Sequence, residues 1–136
     1  MARLRGLTVL LVEDDVDNLE LLSSCLESEG ARTLCAGSIA GALALTIGQH
    51  IDVVVSDLEL ADGDGCALLE QMRGREDRRP VPAIAVTGYS QEKWRKAAAD
   101  CGFTRYAVKP FSLDRLIDWI AELSRGETAS GETSEA

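Results

Sequence analysis

Ile51-Asp52-Val53-Val54-Val55-Ser56-Asp57-Leu58-Glu59-Leu60-Ala61-Asp62-Gly63-Asp64-Gly65 passes from an apolar run into an acidic, glycine-rich stretch at Asp57. A short β-branched run bounded by turn residues reads as a buried strand, and Asp57 is then a carboxylate presented at its carboxyl end. Three other apolar runs end the same way: Leu7 to Val12 before Glu13 and Asp14, Ala83 to Val86 before Thr87, and the run before Lys109-Pro110. In open α/β sheets, ligands bind outside the carboxyl ends of the strands, so this pattern predicts three carboxylates, a hydroxyl and an ammonium at one site.

Short apolar runs alternate with segments of helical period along the chain, the pattern of a parallel sheet covered on both faces. The strands are expected over Leu7 to Val12, Arg32 to Ala36, Asp52 to Ser56, Ala83 to Thr87 and Phe103 to Val108. Between them, Val16, Leu19, Leu22 and Leu26 mark a first helix, and Ile39, Ala42, Leu43, Thr46 and Ile47 a second. Leu68, Leu69 and Met72 mark a third, Trp94, Ala97, Ala98 and Cys101 a fourth, and Leu113, Leu116, Ile117, Ile120 and Leu123 a fifth. Ser112 and Asp15 are placed to cap helix N-termini, and Gly30 and Gly102 to stop the first and fourth helices. Right-handed crossovers make a five-stranded doubly wound α/β sandwich the economical topology.

With 136 residues, the chain has the size of one domain, expected over 1–125, and residues 126–136 offer almost nothing to bury and read as a disordered tail or linker. A hydrophobic fraction of 46% with 27% charged residues fits a water-soluble protein, and no apolar run approaches the ~20 residues of a membrane span. The basic N-terminus leads into a short apolar stretch ending in Glu13-Asp14-Asp15, unlike a secretory signal, so a cytoplasmic location is expected. A net charge of −9 argues against direct nucleic-acid binding. Cys25, Cys35, Cys66 and Cys101 form no CxxC motif and read as reduced core thiols. His50, the single histidine, reads as a surface or helix-end residue rather than a ligand.

The converging acids decide the chemistry. Like charges ~4 Å apart at an effective dielectric near 20 repel by about 4 kcal/mol per pair, so Glu13, Asp14 and Asp57 must protonate or recruit a cation. Lys109 offsets one charge, and the remaining oxygen-only donor set suits Mg²⁺. A carboxylate can attack phosphorus when cations neutralise the transferring oxygens, which makes Asp57 the natural nucleophile, Mg²⁺ and Lys109 the charge clamp, and Thr87 a donor to a phosphoryl oxygen.

These residues resemble the receiver domain of two-component response regulators. The likeness rests on Val12-Glu13-Asp14-Asp15, on Asp57 with Asp64-Gly65 following, on Ala85-Val86-Thr87-Gly88 and on Lys109-Pro110-Phe111, and covers residues 7–124. It implies a flavodoxin-like (βα)5 fold of strand order 2-1-3-4-5 and phosphotransfer onto Asp57 from a histidine kinase or a histidine phosphotransfer protein. It further implies that Asp14, Asp57 and the backbone carbonyl of Glu59 ligate Mg²⁺, with Glu13 acting through water, and that Thr87, Gly88 and Lys109 hold the phosphoryl group. Tyr106 falls at the family's aromatic switch position. There Thr87 moves toward the phosphoryl group and the ring turns inward, remodelling the face of the fourth helix, fifth strand and fifth helix for a downstream output partner or a homodimer. Trp94, on its helix's apolar stripe, and Trp119, flanking its own, read as core, with partner binding as second choice. Such a domain accepts and slowly hydrolyses one phosphoryl group and is otherwise no enzyme.

Three features depart from the family pattern. Ala61 stands where proline is common, which loosens the loop after Asp57, and Gly88 replaces a small alanine and leaves the pocket open. Glu59 and Tyr89 occupy the two positions that tune phosphoryl lifetime, and the Tyr89 ring is expected to restrict the attacking water. Thr87-Gly88-Tyr89 and Asp17-Asn18 look similar to receivers of hybrid kinases, a pointer toward a phosphorelay. The rivals are a receiver-like docking module that works without phosphorylation and an Mg²⁺-dependent phosphatase of the haloacid-dehalogenase type. The phosphatase would place its nucleophile after the first strand, with a second Asp where Glu59 stands. A flavin mononucleotide carrier would want a Ser/Thr-rich loop where Glu13-Asp14-Asp15 repels phosphate. A calcium loop over Asp57 to Leu68 fails at Asp62 and Leu68.

Overall fold

The computed structural model describes residues 2–74 and 81–126. The charged loop residues 75–79 and the expected tail, apart from Gly126, lie outside them. Five parallel strands, β1 (Thr8–Val12), β2 (Arg32–Ala36), β3 (Val53–Asp57), β4 (Ala83–Thr87) and β5 (Arg105–Val108), form one sheet in the order 2-1-3-4-5. Among the described residues, five helices alternate with them: α1 (Val16–Ser28), α2 (Ile39–Leu45), α3 (Gly65–Arg73), α4 (Glu92–Cys101) and α5 (Leu113–Ser124). Glu59–Leu60 and Gly63–Asp64 add a short antiparallel hairpin after Asp57.

The period-two geometry of a strand sends alternate side chains to opposite faces, and here both faces are buried. Val9, Leu11, Val53, Val55, Ile84 and Val86 pack with Leu26 of α1 and Leu116, Ile120 and Leu123 of α5. Leu10, Val12, Val54 and Ala85 pack instead with Ile39 and Ala42 of α2, Leu68, Leu69 and Met72 of α3, and Ala98 of α4. The helix ends follow local chemistry. Asp15, Ser38, Asp64 and Ser112 each accept a hydrogen bond from the backbone N–H three residues on, at 3.1, 3.0, 2.8 and 3.2 Å. Gly102 ends α4 with φ 118°, a left-handed conformation that favours glycine.

Several sequence expectations need correcting. The second helix stops at Leu45, so Thr46 caps it and Ile47 is 71% exposed rather than on an apolar stripe. Val16 opens α1 and is 64% exposed rather than on its apolar stripe. The last strand starts at Arg105, and Phe103 is buried before it. Trp119 is core at 4% exposure, whereas Trp94 is 38% exposed. The thiol expectation also changes. Cys66 and Cys101 are joined by a disulfide across a sequence separation of 35, with Cα atoms 5.6 Å apart. Only Cys25 and Cys35 are free among the described residues, and Cys35 is exposed rather than core. His50 is exposed, and its Nε2 lies 2.9 Å from Asp52 Oδ1.

The loop after Asp57 is tied to the body of the fold despite Ala61. Asp62 accepts from the backbone N–H groups of Ile39 (2.9 Å) and Ala40 (3.1 Å), at the start of α2. Those two hydrogen bonds hold its carboxyl below the ordinary aspartate range. A depressed folded-state pKa stabilises the fold above the unfolded value and loses that contribution as pH falls through the folded one. Asp62→Ala therefore lowers the melting temperature at neutral pH, and the gap from wild type closes in acid; melting curves taken across that range check both.

Candidate functional site

Strand register builds the site. Val12 pairs with Ser56, so Glu13 leaves β1 beside Asp57; Asp57 pairs with Val86, so Thr87 lies one step on; Thr87 pairs with Val108, so Lys109 follows. One oxygen from each of Glu13, Asp14 and Asp57 lies within 4.8 Å of the others. Lys109 Nζ lies 2.9 Å from Asp57 Oδ2 and 3.0 Å from Glu13 Oε1. Asp57 Oδ1 accepts from Glu59 N–H at 3.3 Å, and Glu13 Oε2 from Asp15 N–H at 3.2 Å. Glu13 and Asp57 are buried, and Asp14 is exposed.

The electrostatics follow from that packing. Burial pushes the Glu13 carboxyl up, against the pull of Lys109 and of the Asp15 N–H. Burial also opposes the Lys109 charge, but the hydrogen bonds it donates to Asp57 and Glu13 outweigh that, and the ammonium pKa rises. Lys109 thus stays charged. Three carboxylates against one ammonium leave an uncompensated negative charge on an all-oxygen donor set. That composition fits a hard divalent cation such as Mg²⁺, which takes few protein ligands and keeps its waters.

The other expected residues surround the cluster. Thr87 is buried, and its Oγ1 accepts from Tyr89 N–H at 3.2 Å, leaving the hydroxyl proton available to another acceptor. Gly88 is exposed, and a Cβ there would meet nothing within 4 Å, so this corner is open. Tyr106 is turned inward at 2% exposure, and its hydroxyl donates to the Tyr89 carbonyl at 2.6 Å. The Tyr89 ring stacks on Trp94 with centroids 4.9 Å apart. The neighbouring Glu59 carboxylate is the main cause of the Tyr89 phenol's raised pKa. Glu59 and Tyr89 therefore meet above the pocket.

Two features were not legible beforehand. The Arg95 guanidinium lies 4.9 Å from the Tyr106 ring centroid, and the chain gave only a charged helix position to suggest it. A cavity of about 550 Å³ opens between α1 and the loop after β5, lined by Leu21, Leu22, Pro110, Phe111 and Leu113 and reaching Glu13 and Lys109. Leu21, an apolar residue off the stripe of Val16, Leu19, Leu22 and Leu26, was an available signal for it.

A doubly wound parallel sheet with an acidic cluster, a threonine and a lysine at its strand ends defines an α/β protein of the flavodoxin-like kind. The chain belongs to the response regulator receiver domain family, whose sequence model matches residues 9–121. It is 38% identical over 108 residues to the regulatory protein AtoC of Escherichia coli (strain K12), covering 79% of this chain and 23% of that protein. It is 29% identical over 113 residues to the polar-differentiation response regulator DivK of Brucella ovis, covering 83% of this chain and 92% of that one. The receiver domain of the Francisella response regulator 1452 superposes with a TM-score of 0.81 at 26% identity, covering 89% of this chain and 98% of that one. No helix among the described residues is long and apolar enough to cross a membrane.

Proposed function

We propose that the domain is a phosphoacceptor signalling switch of a two-component system or phosphorelay, with Asp57 as the acceptor. The observation that carries this is the state of the Asp57 carboxylate: buried at a strand end, one oxygen on Lys109 and the other on the Glu59 N–H. An Asp57 oxygen attacks the phosphorus of a phosphohistidine on a histidine kinase or phosphotransfer protein; the P–N bond breaks and imidazole leaves. Lys109 neutralises a phosphoryl oxygen, and the Thr87 hydroxyl and Gly88 backbone N–H donate to the others. Asp14, Asp57, the Glu59 carbonyl and, through water, Glu13 would hold Mg²⁺, which when bound supplies further charge neutralisation at the transferring oxygens. The cavity between α1 and the loop after β5 borders the site and offers the donor an apolar seat.

Signal output runs through the Thr87-Gly88-Tyr89 turn. Thr87 moving toward a phosphoryl oxygen pulls on the Tyr89 N–H, and the Tyr89 carbonyl holds the Tyr106 hydroxyl. The face of α4, β5 and α5 is thereby repacked for a downstream partner or a second copy. The domain has no other catalytic activity than slow loss of its own phosphoryl group, and it works in the cytoplasm without direct nucleic-acid contact. The inward Tyr106 gives a phosphorylation-independent docking module its one foothold.

Intact mass after incubation with a small-molecule phosphodonor separates the two readings. The switch gains one phosphoryl group with Mg²⁺ and none with a chelator; the docking module gains none in either. Tyr89, held by Glu59 and Trp94, covers the approach of water. Tyr89→Ala is expected to shorten the adduct's half-life roughly threefold or more by admitting water to the site, read from the decay of the phosphorylated mass.

A further inference from the structure

We propose that Cys66 and Cys101 form a reversible dithiol–disulfide switch that fastens the C-terminal end of α4 to the first turn of α3, which packs against the backbone of Asp57. Cys66 is the second residue of α3 and Cys101 the last of α4, and the bond joins them with Cα atoms 5.6 Å apart, a spacing disulfides ordinarily span. Both residues are half-buried, so a small reagent reaches the sulfurs. The other two cysteines belong to α1 and β2 and are free.

Both redox states fit the same packing. Cys101 Sγ lies 3.3 Å from the Ala98 carbonyl and Cys66 Sγ 4.0 Å from the Ala97 carbonyl, so each thiol has an acceptor waiting when the bond opens. Opening therefore strands no polar group. The post to which α4 is fastened is rigid: Gly65 N–H donates to the Leu58 carbonyl at 2.9 Å, and a Cβ at Gly65 would lie 2.7 Å from the Asp57 carbonyl oxygen. The first turn of α3 is thus pressed against the backbone of Asp57. The other end of α4 carries Trp94 on Tyr89 and Arg95 on Tyr106. With the bond closed, the last turn of α4 is fixed covalently; with it open, the aromatic end, the Ala98 packing and the Arg73 hydrogen bond to the Gly102 carbonyl remain to hold it.

A peroxide supplies the oxidant. One thiolate attacks a peroxide oxygen, the O–O bond breaks, and a sulfenic acid and hydroxide form, the hydroxide becoming water with the proton the thiol had released. The second sulfur then attacks the first, the S–O bond breaks, and a second water leaves with the remaining proton. Two thiols and one hydrogen peroxide give one disulfide and two waters, and an external dithiol reverses the change by exchange.

The inference rests on the phosphoacceptor reading only where it says what α4 does, and the test keeps the two apart. The full chain is treated with hydrogen peroxide or with dithiothreitol, its free thiols are counted by maleimide labelling and intact mass, and the bonded peptides are mapped. Amide hydrogen exchange of α4 is then followed in both forms and in Cys101→Ser. The expected result is loss of two titratable thiols, a Cys66–Cys101 peptide, and α4 exchange slowed by about tenfold or more in the oxidised form, reversed by reductant and missing in Cys101→Ser. Four thiols persisting under peroxide, or pairing through Cys25 or Cys35, overturns the proposal. So does a bond that dithiothreitol does not open, or α4 exchange that is the same in both forms. Failure of Asp57 to accept a phosphoryl group in either form would sink the phosphoacceptor reading and leave the thiol result standing.

Discussion

Asp57→Asn yields a folded domain that gains no phosphoryl group, with adduct under about one hundredth of wild type by intact mass, because an amide oxygen is no nucleophile toward phosphorus. The substitution is sterically quiet. Asn keeps an oxygen to accept from Glu59 N–H or face Lys109, and Lys109 keeps Glu13 at 3.0 Å. Loss of the adduct then cannot be assigned to unfolding, provided the melting curve stays cooperative. Asp57→Glu sharpens the point, since it retains the carboxylate but moves it by one methylene. A displacement of about 1 Å from the reacting geometry costs on the order of 100-fold, so this variant too should be nearly silent. If Asp57→Glu accepted the group at the wild-type rate, the nucleophile would not be working from the end of β3.

The strand-end residues were readable because their signal is local. An acid directly after a buried β-branched run needs a reason to be there, and Glu13, Asp57 and Lys109 each sit one residue beyond or at such an end. Register then does what no single stretch could, since four aligned ends bring residues from 13 to 109 onto one oxygen cluster. What stayed hidden depends on which face of a helix is covered. In α4 the apolar period is carried mainly by alanines, a stripe too weak to say that Trp94 would hang beyond the sheet and find Tyr89 instead. In α5, Trp119 is core as read, but nothing in the chain announced that it would close over Arg105, whose guanidinium lies 5.9 Å from its ring centroid. The Cys66–Cys101 pair escaped for a related reason. Nothing in the spacing of two cysteines 35 residues apart announces that the first turn of one helix meets the last turn of the next.

Neutralising the acids themselves should move two measurements in opposite directions. Glu13→Gln with Asp14→Asn removes two of the three carboxylates that lie within 4.8 Å of one another, while keeping oxygens of similar shape, including an acceptor for Lys109. Changes to groups that merely orient metal ligands cost 10–100-fold in affinity, so losing one charged ligand and one carboxylate acting through water should weaken Mg²⁺ binding by about 100-fold or more, measured by calorimetry. Formation of the Asp57 adduct should fall with it at fixed Mg²⁺. In metal-free buffer the same variant should melt higher than wild type, because each like-charged pair near 4 Å costs about 4 kcal/mol at an effective dielectric near 20 and Lys109 offsets only part of it. A purely structural role for Glu13 and Asp14 predicts the reverse, a lower melting temperature with or without metal. Weaker Mg²⁺ binding joined to higher metal-free stability is the signature of carboxylates held together against their own repulsion, at a cost to the fold that the bound cation offsets.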